Sequence, residues 1–265
     1  MRRVSGAMEA VREDGLNEDE VLRYRRQLIL PEIGIEGQKK LKNAKVLVIG
    51  AGGIGSPLLL YLAAAGIGHI GIFDHDVVEL TNLNRQIIHD SSKVGVEKVH
   101  SAKQVLGQLN PNIRVDIYES KLERELALSV VKEYDIIVNA VDNLETRYML
   151  NDVCVELRKP LIEGSIFHFE GQILFISPDD GACYRCLYPE PLEQPKKQEF
   201  GVIGVTPGFV GVLQAMEVIK YILQIGASLK NRLIYFDLLS TKIQEIEIKP
   251  NPDCPICSPL KKSHA

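Results

Sequence analysis

The stretch KVLVIGAGGIGSPLLLYLAAAG, residues 45 to 66, constrains this chain more than any other. A short Val/Leu/Ile run meets glycines spaced G-x-G-x-x-G at Gly50, Gly52 and Gly55, and an apolar helix-forming run follows. This is the pattern of a buried strand turning sharply into a helix. Glycines let the backbone turn tightly and approach a phosphate, while the helix start supplies free N–H groups and the positive end of its dipole. Gly53 adds freedom to the same turn. The following strand ends in Asp74, 24 residues after Gly50, about where a dinucleotide fold sets a carboxylate on the ribose hydroxyls. Taken alone, the turn suits an NAD(P)-dependent oxidoreductase, or a packing turn with no ligand.

The rest of the chain repeats the grammar of strand and helix. Strands are expected at 45–50, 69–74, 113–119 and 134–142, and helices at 54–66, 95–109, 122–132 and 144–157. The strands are rich in Ile and Val without strict alternation, which predicts a mostly parallel, Rossmann-like α/β sheet with helices on both faces. From residue 160 the runs PLIEGSI, GQILFISP, RLIYFDLL and KIQEIEIKP follow with few intervening helices, so the sheet is expected to continue with antiparallel strands. Residues 187–205, with three prolines, read as a mobile crossing loop, and the apolar run from Thr206 to Gly226 as a centrally packed helix. Residues 1–20 read as a flexible arm leading into a helix around EDEVLRYRRQLIL, and 21–260 as one domain. At 265 residues, 45% hydrophobic and 25% charged, one sizeable core is the expectation. A net charge of −4 argues against direct nucleic-acid binding. No signal-peptide core or membrane-length apolar run is present, so the expected location is cytoplasmic.

Downstream of Asp74 the polar residues fit a dinucleotide poorly. Asp76, Asn82, Arg85, Gln86 and Lys98 crowd one long connection. Two cations beside a phosphate turn answer more negative charge than a dinucleotide bridge carries, which favours a triphosphate; a solvated loop with surface ion pairs is the alternative. Asp142 falls at the carboxyl end of a strand, the edge where open α/β sheets bind ligands. It suits Mg²⁺, or, more plainly, the N-cap of a helix starting at Asn143 or Leu144. Four of the five cysteines form two C-x-x-C pairs, Cys183/Cys186 and Cys254/Cys257, with 67 residues between them. Four thiolates at that spacing read as a closed structural Zn²⁺ site, with a redox pair as the alternative. Cys154, between apolar helix residues, reads as buried and inert.

Together GAGGIGSP, FDHDVVELTNLNRQ, VGVEKVHSAK, AVDNLETRYMLND and the cysteine pairs resemble the MoeB/ThiF/HesA family, the ubiquitin-activating-enzyme-like adenylyltransferases. The resemblance runs from about residue 20 to 258. It implies ATP-dependent adenylation of the C-terminal glycine of a small ubiquitin-like sulfur carrier or modifier ending in Gly-Gly, with release of pyrophosphate. It further implies a nucleotide-binding half over 45–158 and a carrier-binding, zinc-bearing half over 159–258. On this resemblance Gly50, Gly52, Gly53 and Gly55 line the nucleotide, Asp74 takes the ribose, Asp76 is a further nucleotide-binding candidate, and Asn82, Arg85, Gln86 and Lys98 hold the triphosphate. Asp142 holds Mg²⁺, and Arg26 reaches the site of the partner in a homodimer. The sheet face of residues 160–177 and 233–248 is the expected carrier surface. A terminal carboxylate, with a pKa of ~3.3–3.7, is already ionised at neutral pH, so positioning and charge are expected to do the work, and His75, His89, His100 and His168 to be surface or structural. One departure stands out. Where many relatives carry a cysteine in the crossing loop, this chain has Lys196, Lys197 and Gln198, which predicts that it stops at the acyl-adenylate. A non-catalytic scaffold that keeps nucleotide and carrier binding is the rival from another class.

Overall fold

The computed structural model describes residues 15–177, 181–189 and 200–259. Residues 1–14 of the expected arm, and Lys196, Lys197 and Gln198 of the crossing loop, lie outside the described residues. The elements in chain order are α1 (Glu18–Arg23), α2 (Arg25–Leu28), α3 (Gly34–Asn43), β1 (Lys45–Ile49), α4 (Gly55–Ala65), β2 (His69–Phe73), α5 (Lys98–Leu109), β3 (Arg114–Tyr118) and α6 (Arg124–Val131). They continue as β4 (Ile136–Asn139), α7 (Leu144–Glu156), β5 (Leu161–Phe167), β6 (Glu170–Ile176), α8 (Tyr184–Leu187), α9 (Val205–Leu223), β7 (Arg232–Asp237) and β8 (Lys242–Glu247).

The strands form one sheet in the order β3-β2-β1-β4-β5-β6-β7-β8. The first five are parallel, and β5 through β8 pair antiparallel, as the change of grammar at residue 160 predicts. The chain order reverses between β1 and β4, and loops leaving the carboxyl ends of those two strands open a crevice there. Both the glycine turn and Asp142 follow these strands directly.

Two cores flank the sheet. Val46, Val48, Ile70, Ile72, Ile136 and Val138 face one way, against α4, α5 and α9. Leu47, Ile49, Phe73 and Ile137 face the other, with α6, α7 and the cysteine pairs. Alternate residues of the central strands thus enter different cores, and neither face is polar, which is why these strands lack period-two patterning. The helix α9 packs across α4, β5 and β6, the central position expected of it.

Some boundaries shift. The single helix expected around residues 18–30 breaks at Tyr24, whose hydroxyl accepts from Asn110 Nδ2 at 2.8 Å and is pinned to the core there. Asn17 and Glu20 close a reciprocal capping box at its start. The helix expected from residue 95 begins at Lys98, because Gly95 sits at φ +87 and Val77 bridges to Glu97. The strand expected over 134–142 spans only Ile136–Asn139, and the remaining residues form the turn toward Asp142.

Candidate nucleotide site

The glycine turn is set by backbone crowding. Gly50 has φ +102, and a Cβ there would stand 2.8 Å from the Ala140 carbonyl oxygen. A Cβ on Gly55 would stand 2.0 Å from the Gly50 oxygen, so the strand-to-helix turn closes only with glycine at both places. At Gly52 the nearest atom to such a Cβ is Gln86 Nε2 at 3.7 Å, which leaves room above the turn. α4 begins with no side-chain cap; in its first turn Ser56 N–H donates to the Gly52 carbonyl at 2.9 Å and Pro57 has no N–H, so the donors left open to an anion among the described residues are the amides of Gly55 and of Gly52 and Gly53 before it.

The acidic residues after β2 hold the turn and the neighbouring helix. Asp74 Oδ2 accepts from Ala51 N–H at 2.8 Å, and its Oδ1 from Asp76 N–H at 2.9 Å. Asp76 Oδ2 in turn accepts from Lys98 Nζ at 2.8 Å. The Lys98 side chain is only 7% exposed, whereas that of Asp76 is 55% exposed. A surface ion pair, the plainer reading of Lys98, does not describe a buried ammonium whose carboxylate partner faces water. Burying a cation costs free energy that a pairing open to water returns only in part.

Asn82 and Gln86 are buried beside the turn. Asn82 Oδ1 accepts from Glu79 N–H at 3.2 Å, and Gln86 Oε1 is a buried acceptor without a donor among the described residues. Arg85 is folded onto its own loop, donating to the Thr81 carbonyl and Asn84 Oδ1, both at 3.0 Å. Arg26 lies exposed on α2, outside this crevice.

On the far side of the crevice, Asn143 caps α7 by accepting from Thr146 N–H at 2.9 Å. The capping role weighed for Asp142 therefore belongs to its neighbour, and Asp142 stands exposed at the mouth of the crevice with its carboxylate uncommitted among the described residues. The turn that carries it is anchored from below. Val141 N–H donates to Asn139 Oδ1 at 3.2 Å, and the Val141 carbonyl accepts from Arg147 Nη2 at 2.9 Å. Arg147 also pairs with Glu163, which accepts from Asn139 Nδ2 through both oxygens. Burial pushes the Glu163 carboxyl up to about 7 against the pull of Arg147. Sequence reading passed over this network, although a glutamate inside PLIEGSI and an arginine inside an apolar helix were its signal.

The remaining histidines are as expected: His75 and His100 are exposed, and His168 holds a left-handed position at φ +54 in the turn between β5 and β6. Cys154 is fully buried, and burial pushes its thiol well above the usual range.

The two cysteine pairs converge. Sγ atoms are 3.9 Å apart for Cys183 and Cys186, 3.6 Å for Cys183 and Cys254, and 3.5 Å for Cys186 and Cys257. All four lie within 4.8 Å of one another. Tetrahedral ligation at Zn–S of ~2.3 Å requires sulfurs roughly 3.8 Å apart, which this set meets. Asn251 N–H donates to Cys186 Sγ at 3.4 Å, a bond that suits a thiolate sulfur. The geometry favours a closed metal site over a disulfide-forming redox pair.

Comparison with known proteins agrees with this arrangement. The sequence model of the ThiF family matches residues 24–256. The adenylyltransferase and sulfurtransferase MOCS3 of Anopheles gambiae is 48% identical over 247 residues, covering 92% of this chain and 56% of that protein. The chain thus spans about half the length of the MOCS3 proteins it matches. The sulfur carrier protein adenylyltransferase of Thermus thermophilus is 44% identical over 247 residues, covering 90% of this chain and 91% of that one. Among solved structures, E. coli MccB with ATP superposes with a TM-score of 0.80 at 26% identity, over 96% of this chain and 80% of that chain. Family match and relatives agree: this chain belongs to the ThiF family.

Proposed function

We propose that this chain uses ATP to adenylate the C-terminal glycine of a small ubiquitin-like carrier that ends in Gly-Gly, releasing pyrophosphate. The observation that carries the reading is Lys98, a buried ammonium at the start of α5 tied through Asp76 and Asp74 to the glycine turn, with an exposed Asp142 across the crevice. A dinucleotide oxidoreductase has no use for that pair. The names of the relatives, and an MccB structure obtained with ATP, support the same chemistry.

In this reading Gly50, Gly52, Gly53 and Gly55 form the floor, Asp74 and Asp76 border the ribose, and Asn82, Arg85, Gln86 and Lys98 hold the phosphates. Asp142 would hold Mg²⁺, which supplies charge neutralisation at the phosphates when bound. The carrier's terminal carboxylate attacks the α-phosphorus. A carboxylate O–P bond forms, the bond from the α-phosphorus to the bridging oxygen breaks, and pyrophosphate leaves with that oxygen. No proton moves from the nucleophile, so no general base is needed. The difficulty is anion meeting anion, and Lys98, Arg85 and an Arg26 supplied by a second copy of the chain lower it. Cys183, Cys186, Cys254 and Cys257 would hold Zn²⁺ as a structural ion, tying α8 to the C-terminal segment. The carrier docks on the antiparallel half of the sheet, where β8 exposes every residue and Phe167, Phe169 and Ile243 are open to solvent. With Cys154 buried, the chain ends its own chemistry at the acyl-adenylate.

The reading is tested by incubating the chain with Mg-ATP and candidate small proteins ending in Gly-Gly, then measuring the intact carrier by mass spectrometry. A carrier gaining one adenylyl group, and losing that gain when its terminal glycine is deleted, is the expected result. No adenylated carrier with any candidate would overturn it.

A further inference from the structure

Ala51, between Gly50 and Gly52, is held through both of its peptide groups. Its N–H donates to Asp74, and its carbonyl lies 3.0 Å from His89 Nε2. A carbonyl only accepts, so the His89 proton sits on Nε2, and Nδ1 is left to accept from Ser101 Oγ at 2.8 Å. His89 and Ser101 are both buried, at 7% and 1% exposure. Ser101 lies one helical turn beyond Lys98 on α5.

These bonds close a ring. From the Ala51 N–H it runs through Asp74 to the Asp76 N–H, from the Asp76 carboxylate to Lys98 Nζ, and along the first turn of α5 to Ser101. His89 then returns it to the Ala51 carbonyl. Asp74, Asp76 and Lys98 already have parts in the proposed nucleotide site. His89 has none, yet it is the group joining the phosphate turn to the helix that carries the phosphate lysine.

We infer that His89 is a positioning residue of the ATP site: it fixes the Ala51 peptide so that the amides of Gly52 and Gly53 face the phosphates, and it sets the spacing between that turn and Lys98. This inference rests on the ATP reading above. A triphosphate that draws Lys98 away from Asp76 opens one side of the ring, and the His89–Ser101 bridge then keeps turn and helix in register. Burial, the leading cause, pushes the imidazole pKa down, which keeps the singly protonated, bridging form at neutral pH.

The test is calorimetric titration of Mg-ATP into the full chain as wild type, His89→Ala, His89→Gln, Ser101→Ala and the double variant His89→Ala/Ser101→Ala. Asn110→Ala serves as a structural control: Asn110 closes the far end of α5, donating to Tyr24 Oη at 2.8 Å and the Ala63 carbonyl at 2.7 Å. Losing the bridge is expected to weaken ATP binding about tenfold in His89→Ala and less in Ser101→Ala, with the double variant no worse than His89→Ala. His89→Gln, whose amide can still donate to the Ala51 carbonyl, recovers part of the loss. Asn110→Ala lowers the melting temperature and leaves ATP affinity unchanged. If His89→Gln and Ser101→Ala bind ATP as wild type does, while losing thermal stability like Asn110→Ala, His89 is structural only and the inference is overturned. A wild-type chain that binds no ATP overturns instead the reading on which it rests.

Discussion

At the scale of the residue, the site is governed by charges that are buried or left uncommitted. Lys98 is held under the surface by a carboxylate that faces water, and Asp142 is spared capping duty because Asn143 takes it. His89 makes a pH prediction. An unfolded histidine titrates near 6.5; in the fold burial lowers this, Lys98 adds to the lowering, and the Ala51 carbonyl, Asp74 and Asp90 oppose it. Between the lowered value and 6.5 the unfolded chain binds a proton that the folded chain does not, so stability is complete above about pH 6.5 and falls as the pH drops below it. Glu163, with its carboxyl raised to about 7, works the other way and gains stability as the pH falls, so the His89 contribution is read as a difference. Between about pH 7.5 and 5.5 the urea midpoint of wild type should drop relative to that of His89→Gln, in which the Glu163 effect is shared. An equal change in both would assign the pH dependence to other groups. Lys98 and Asp142 stood out in the sequence as residue types in register with the glycine turn. That one was buried and the other uncommitted was not visible there, since both depend on which neighbour takes the competing bond.

At the scale of the element, strand and helix order was legible because Ile/Val runs and glycine turns punctuate it. The boundaries that moved did so for local reasons: Tyr24 breaks a helix to reach Asn110, and β4 ends at Asn139 because its polar end turns into the Asp142 loop. That loop hangs on the buried pair of Arg147 and Glu163, from strands and a helix that the sequence gives no means of pairing. Arg147→Met removes the cation and leaves Glu163 among Asn139 and apolar neighbours. Chemical denaturation should show a loss of ~3–5 kcal/mol, reduced in the double variant Arg147→Met/Glu163→Gln. A loss below about 1 kcal/mol would show that the pair is not holding the turn. The cysteine pairs make a parallel case for α8, since their spacing suggested a zinc site and the fold brings the four sulfurs within 4.8 Å of one another. Cys254→Ser should lower bound zinc from about one ion per chain toward none and reduce the denaturation midpoint; unchanged zinc by metal analysis would remove the site.

At the scale of the whole molecule, the switch in strand order between β1 and β4 puts two loops, far apart in sequence, on one crevice. Arg26 lies outside it, on an exposed helix near the uncovered apolar side chains Leu22, Ile29 and Leu30. This is the one site residue whose role the resemblance alone suggested, and a second copy of the chain is the proposed reason. If Arg26 acts across a dimer, mixing inactive Arg26→Ala and Asp142→Ala chains and allowing subunits to exchange should restore about a quarter of wild-type activity, because half the dimers are mixed and each has one intact site. No recovery, with exchange verified, would return Arg26 to its own chain's surface.

The central claim is that the crevice joins a carboxylate to the α-phosphate of ATP with displacement of pyrophosphate. Carrier-dependent exchange of labelled pyrophosphate into ATP measures that reversible step directly. The account predicts exchange that requires a carrier ending in Gly-Gly and falls by roughly a hundredfold or more in Asp142→Ala and in Lys98→Met, with the fold intact. Exchange that persists in both variants, or that needs no carrier, would contradict it.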